Sequence, residues 1–257
     1  MMPETTIVVP CFNEAARLQP DAFREFVKKS PSCEFLFVDD GSQDETQTIL
    51  EGLEQSNGNR FQVLRLEQNQ GKAEAVRQGL IRASQGPAAY VGFWDADLAT
   101  PLDAIPEFLD VFQERPDLQA VVGSRVKLLG RKIDRTAFRH YAGRVFATFA
   151  SLVLGIPIYD TQCGAKLFRA DAALQEVVSK RFLTTWIFDV ELIARYGLAV
   201  REVSLEDVIY ELPLRRWADV AGSKLKPKDF CKAVLELNRV RRIYPRPTRD
   251  RAKRSEH

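Results

Sequence analysis

Five short apolar runs in the first 124 residues, each ending in polar or turn-forming residues, constrain this chain more than any other feature. They are Thr5–Pro10, Glu34–Asp39, Phe61–Leu66, Tyr90–Trp94 and Ala120–Ser124. Their β-branched and aromatic content predicts strands, and their continuous apolar character suits strands covered on both faces. Helical patterns lie between them. Ser42 with Glu45, and Thr100 with Pro101 and Asp103, read as helix starts. In Gly71–Ala83 the residues Ala75, Val76, Gly79, Leu80 and Ala83 form one stripe. Such alternation predicts an α/β fold, a doubly wound and mostly parallel sheet with right-handed crossovers. Ligands then bind beyond the carboxyl ends of the strands.

The regular order breaks after Ser124. Arg125–Arg139 reads as a basic loop, Arg144–Gly155 as an apolar helix and Thr161–Phe168 as a turn into a strand. Leu183–Tyr196 is expected to be helical, Ala199–Val203 and Val208–Leu212 to be strands, and Pro227–Tyr244 a basic amphipathic helix. From Pro245 onward the composition predicts disorder. Residues 222–257 hold 12 Lys and Arg against 4 Asp and Glu, a net +8, which leaves −6 on the first 221. An acidic body with a basic tail points to an anionic surface or to a solvated tail.

Several absences narrow the chemistry. Two histidines, His140 and His257, exclude a multi-histidine metal site. No G-x-G-x-x-G fingerprint exists, and Gly71-Lys72 is followed by Ala73, which excludes a P-loop. The four cysteines are widely spaced and read as reduced thiols of a cytosolic protein. The longest uncharged stretch, Val145–Tyr159, has 15 residues, short of a membrane span. No signal peptide is visible at the N-terminus.

Polar clusters follow four of the expected strands: Pro10–Glu14, Asp39–Ser42, Asn69–Lys72 and Asp95–Asp97. Strand ends on one sheet converge, so these groups are expected to line a single crevice. Asp95 and Asp97, one residue apart, suit a hard divalent cation bridged to a diphosphate; Asp97 alternatively only begins a turn. Lys72 opens a helix after a glycine, where dipole and cation together suit a phosphate oxygen. Asp39 can accept hydrogen bonds from a base or ribose, and Asp40 can be a turn former.

The segments VVPCFNEAARL, FVDDGSQDET, NQGKAEAVRQGL, DADLATP, VVGSR and DTQCGAKLFR resemble, in that order, the motif series of family 2 glycosyltransferases with the GT-A fold. The branch most resembled is that of the dolichyl- or polyprenyl-phosphate hexosyltransferases. WADVAGSK at 217–224 is similar to a segment of the dolichyl-phosphate glucosyltransferases. The resemblance spans about residues 5–225 and implies a GT-A domain over 1–225, with a basic C-terminal helix and tail over 226–257. It further implies that Pro10, Asn13, Glu14 and Asp39 hold the base and ribose, with Asp40 and Lys72 near the diphosphate. Asp95 and Asp97 would bind Mg²⁺ or Mn²⁺, and Gln162 would face the sugar or diphosphate. Arg125 and Arg131 would meet a lipid phosphate, and Arg135 in the same loop carries a matching guanidinium. Asp189 stands where many members carry a catalytic base; base or orienting work and helix structure both remain open. In some relatives a glutamine two positions beyond the second aspartate also helps bind metal, and here that position is Ala99.

The activity so implied is inverting, metal-dependent transfer of a hexose from a nucleotide-diphosphate sugar (UDP-glucose or GDP-mannose) to a polyprenyl phosphate, dolichyl or undecaprenyl. The setting is peripheral, at the cytosolic face of a membrane. Arg144–Gly155, with Arg139 and Arg144 at the headgroups, can lie in the interface or pack as a core helix. A soluble acceptor and a non-catalytic basic adaptor for membrane or RNA are the competing readings. No aromatic-interleaved platform accompanies the basic segment, so no nucleic-acid partner is expected.

Overall fold

The computed structural model describes residues 4–200, 203–219 and 227–244. In chain order the first half contains β1 (Thr5–Cys11), α1 (Pro20–Lys29), β2 (Cys33–Asp39), α2 (Thr46–Ser56), β3 (Phe61–Arg65), α3 (Lys72–Ala83), β4 (Tyr90–Trp94), α4 (Ile105–Glu114) and β5 (Ala120–Ser124). The second half contains β6 (Lys132–Asp134), α5 (Ala137–Leu154), β7 (Ala165–Arg169), α6 (Ala172–Val178), α7 (Phe188–Ala199), α8 (Leu205–Val208), β8 (Ile209–Pro213), β9 (Arg216–Ala218) and α9 (Pro227–Ile243).

Seven strands form one sheet in the order β3-β2-β1-β4-β7-β5-β8. All neighbours run parallel except β7, which is antiparallel to both β4 and β5. Because side chains alternate along a strand, Ile7 and Val9 face one layer while Val8 faces the other. On the first side Phe23 packs edge-on to Phe35 and Phe37, with ring centroids 5.0 Å away. On the second side Phe93, Phe168 and Tyr196 line up under α3, α6 and α7. Burial on both faces is why these strands read as unbroken apolar runs. Helix α9 buries Ala233, Leu237 and Val240 in the second layer.

Four expectations need correction. Arg125–Arg139 is not all loop: β6 lies inside it and pairs in parallel with β9, with the buried Ile133 opposite Trp217. The apolar helix starts at Ala137 rather than Arg144. Helix α7 starts at Phe188, five residues later than its pattern suggested, because carboxylates hold residues 183–187 as a loop. No strand covers 199–200 and 203 among the described residues: Ala199 ends α7, and the Val200 N–H donates to the Tyr196 carbonyl, a helical bond. The region from Pro245 onward lies outside the described residues.

Candidate active site

The carboxyl edge of the sheet gathers the predicted residues through strand direction. Parallel β1, β2, β4 and β5 end there, and antiparallel β7 begins there, so Gln162–Gly164 joins the same edge. A web of hydrogen bonds joins the loops that follow β1 and β2. The Asp40 N–H donates to the Cys11 carbonyl (2.8 Å), and the Ser42 N–H to Asp39 Oδ1 (3.0 Å). Ser42 Oγ accepts from the Asn13 N–H (3.0 Å), and Asn13 Oδ1 accepts from the Gln43 N–H (2.8 Å). Ser42 thus joins two loops, and α2 starts later, at Thr46, whose hydroxyl accepts from the Glu14 N–H (2.8 Å). Pro10 is the penultimate residue of β1, and Asn13 adopts a left-handed φ of 53°.

Asp40 is a clamp. Its two carboxylate oxygens accept from the N–H groups of Gln70 (2.7 Å) and Gly71 (2.8 Å), the residues immediately before Lys72. Burial raises the Asp40 pKa, against these bonds. Lys72 then reaches Asp95 with Nζ 2.5 Å from Oδ1. Partial burial opposes the Lys72 charge, but Asp95, Asp189 and Asp97 outweigh it and the net shift is upward. Asp95 is seated by its N–H to the Gly164 carbonyl (2.9 Å), and a Cβ on Gly164 would stand 1.9 Å from Asp95 Oδ2. Only glycine permits that approach.

Asp97 Oδ1 accepts from the Ala99 N–H (3.1 Å), and burial followed by repulsion from Asp95 raises its pKa. Burial likewise raises Glu14, with Asp97 and Asp95 adding to the shift and Arg17 opposing it. Crowded acids of this kind favour a cation. No three His, Cys, Asp or Glu side chains are placed to hold a metal ion between them among the described residues. Asp95 and Asp97 offer two carboxylates, a donor set that fits a hard divalent cation whose other ligands are phosphate and water oxygens. Buried atoms without a protein partner support a ligand-lined crevice: Glu14 Oε2, Asp39 Oδ2, Thr161 Oγ1 and Gln162 Nε2.

Arg125 and Asp160 form a bidentate pair (Nε–Oδ2 2.6 Å, Nη2–Oδ1 2.8 Å), with the guanidinium 5.4 Å over the Trp217 ring. The pKa of Asp160 is lowered: burial opposes the shift, and Arg125, with Arg135 adding, overcomes it. Arg135 also packs against Gly143 of α5. Arg131 lines a cleft of about 520 Å³ with Leu98, Ala99, Ile133 and Trp217. Arg144 stacks on Tyr159, its guanidinium carbon 3.5 Å from the ring centroid.

Asp189 pairs with Lys166 (Nζ–Oδ1 2.5 Å), whose ammonium also donates to the Cys163 carbonyl (2.6 Å). The Lys166 side chain is 0% exposed. Burial raises the Asp189 pKa, while Lys166 and Lys72 pull it back. Sequence reasoning passed over Lys166, although a lysine between Ala165 and Leu167 in a doubly covered strand must find a buried partner. It also passed over Arg181, which donates to Gln70 Oε1 and approaches Glu74 to 3.4 Å; nothing in its local sequence marks that reach.

The sequence profile of "Glycosyl transferase family 2" matches residues 6–175. The dolichyl-phosphate beta-glucosyltransferase of Dictyostelium discoideum is 30% identical over 256 residues, covering 93% of this chain and 74% of that protein. The protein of the same name from Saccharomyces cerevisiae is 31% identical, covering 93% and 74%, and that of Mus musculus is 32% identical, covering 87% and 70%. Among solved structures, glucosyl-3-phosphoglycerate synthase of Mycobacterium tuberculosis in complex with Mn²⁺ and UDP-glucose superposes with a TM-score of 0.64 at 17% identity, covering 93% of this chain and 79% of that one. The same synthase in complex with phosphoglyceric acid gives 0.68 at 18%, covering 96% and 82%. The fold is therefore GT-A, and the chain, matched along two thirds of its length by the profile and along most of it by relatives, belongs to glycosyl transferase family 2.

Proposed function

We propose that this chain transfers glucose from UDP-glucose, with inversion, to a dolichyl or other polyprenyl phosphate. The observation that carries the reading is the meeting of Lys72, Asp95 and Asp97 at the carboxyl edge of the sheet, in a chain whose relatives at about 30% identity are named for that reaction. Those names favour glucose over mannose.

Cleavage of a sugar–diphosphate bond puts positive charge on the anomeric carbon and negative charge on the leaving group. Asp95 and Asp97 would hold Mg²⁺ or Mn²⁺, which when bound neutralises that leaving charge. Lys72 adds a second cation, directly after the Gln70 and Gly71 N–H groups that Asp40 holds. Asp39 and Glu14 offer their unpartnered oxygens to donors on the ribose and base. The acceptor, a phosphate monoester with a second pKa of about 6, is mostly dianionic at neutral pH and needs alignment more than a general base. Arg125, Arg131 and Arg135 are assigned to that phosphate, with Asp160 pre-setting the Arg125 fork. Asp189 is then an orienting carboxylate at the sugar end, paired with Lys166. In place of the glutamine of some relatives, the Ala99 N–H steadies Asp97.

A thermal-shift screen of UDP-, GDP- and dTDP-sugars with and without Mn²⁺ tests the donor. UDP-glucose with Mn²⁺ is expected to stabilise the protein most, by about 2.7 kcal/mol at a hundredfold excess over Kd. Equal stabilisation by GDP-mannose would count against glucose, and no response to any donor would overturn the enzyme reading.

We place the protein peripherally at the cytosolic face of a membrane. No described helix is long and apolar enough to cross one. On α5, Tyr141, Val145, Phe149 and Leu152 form a stripe, each more than half exposed, while Ala147, Ala150 and Leu154 face the core. The helix therefore has both faces that the sequence left as alternatives. The buried thiols of Cys11, Cys33 and Cys163 are free, in keeping with a reducing compartment. Val145→Glu with Phe149→Glu should abolish flotation with anionic liposomes while leaving the UDP-glucose thermal shift unchanged. Unaltered flotation would dismiss α5 as the contact.

A further inference from the structure

The loop that leads into α7 is held by another helix. Ile187, at the N-cap position, makes no side-chain cap bond. Instead, the N–H groups of Thr185 (3.2 Å), Trp186 (3.1 Å) and Ile187 (3.1 Å), and the Thr185 hydroxyl (3.2 Å), all donate to the Glu236 carboxylate of α9. Its side chain is only 12% exposed, and a shielded anion facing the start of a helix satisfies orphan donors and the macrodipole together. Two residues beyond the last of these donors stands Asp189.

Asp189 is therefore held from two directions, by Lys166 from the sheet and through its own helix by Glu236. A second carboxylate completes the clamp: Glu191 accepts from the Leu183 and Thr184 N–H groups and from Arg195 and Tyr244. Helix α9 in turn packs on α5 and α7, and exposes Val234 and Leu235 beside Glu236. It joins the helix with the apolar outer stripe to the helix that bears the inner carboxylate.

We propose that Glu236 is a positioning residue for glycosyl transfer, fixing the entry to α7 so that Asp189, two residues further on, faces Lys166 and Lys72. The proposal rests on the role given above to Asp189. Displacing a reacting-site group by about an ångström costs up to a hundredfold in rate, while the donor pocket at β1 and β2 is left intact. Glutamine keeps one acceptor oxygen but turns a donor toward the peptide N–H groups, so it restores part of the cap.

The test compares full-length wild type, Asp189→Asn, Glu236→Ala and Glu236→Gln with UDP-glucose and a short-chain polyprenyl phosphate. It reads kcat, donor KM, thermal stability and hydrogen exchange of the amides of residues 185–189. Glu236→Ala is expected to lower kcat at least about tenfold with donor KM within about twofold, to speed exchange at 185–189, and to be partly rescued by glutamine. Wild-type turnover in Asp189→Asn would remove the underlying role of Asp189. Impaired Asp189→Asn with wild-type kcat in both Glu236 variants would overturn the positioning proposal alone. So would lowered thermal stability with unchanged kcat per folded molecule, which marks a purely structural cap. Should the alanine variant not fold, the glutamine variant carries the same kcat, KM and exchange readouts.

Discussion

Asp97→Asn is expected to lower turnover by about 10²–10³-fold while leaving the protein folded, on the scale of removing one preorganised group that stabilises developing charge. Asparagine keeps the volume and the oxygen that accepts from the Ala99 N–H, so the turn through Leu98 has its support. What it removes is a negative charge beside Asp95. Repulsion from Asp95 raises the Asp97 pKa along with burial, so the variant should be slightly more stable than wild type when no cation or donor is present. Added Mn²⁺ should then stabilise wild type and not Asp97→Asn. Full activity of the variant, or full wild-type activity in excess chelator, would remove the metal from the reaction.

Lys166→Met should have the largest effect on stability. It strands the Asp189 carboxylate in a buried site, and breaking a buried pair from one side costs about 3–5 kcal/mol. The pH dependence has a definite sign. Burial already raises the Asp189 pKa, and Lys166 is the first of the groups that pull it back. Without Lys166 the native state takes up the proton at higher pH than the unfolded chain does, so stability falls as pH rises from the unfolded value through the raised one. The deficit relative to wild type should therefore be smallest in acid, where Asp189 is protonated in both proteins, and largest at neutral pH. Lys166→Met with Asp189→Asn should recover much of the loss, because no charge is left unpaired. A deficit independent of pH would mean that the contact with the Cys163 carbonyl, not Asp189, is what Lys166 provides.

The contrast between Lys72 and Lys166 shows where the sequence is legible. β1 to β5 were readable to within a residue at each end because a strand covered on both faces needs a continuous apolar run. The residues following them were readable because parallel strands deliver their ends to one edge, which placed Lys72, Asp95 and Asp97 together in advance. β6 and β9 were not readable: three residues each, they exist because Ile133 and Trp217 stand opposite each other across the ribbon. Asp40 reads locally as a turn former and by resemblance as a neighbour of the diphosphate; that its two oxygens hold the backbone of a segment thirty residues away is visible only in the fold. Lys166 and Glu236 depend on partners brought close only by packing, and Glu236 in particular sits in a helix whose basic composition draws attention elsewhere. Local pattern reports which residues share an edge. It does not report which helix reaches across to hold another.

The reversed direction of β7 has a mechanical consequence. The strand carries the lysine that holds Asp189, and the turn that enters it carries Gln162 and the glycine against which Asp95 rests. Its ladder is shared with β4, which runs into Asp95, and with β5, which runs into Arg125. On the proposed assignment of Asp95 to the donor and Arg125 to the acceptor, tightening around either substrate is expected to slow exchange in the same β7 amides, a common gauge of both.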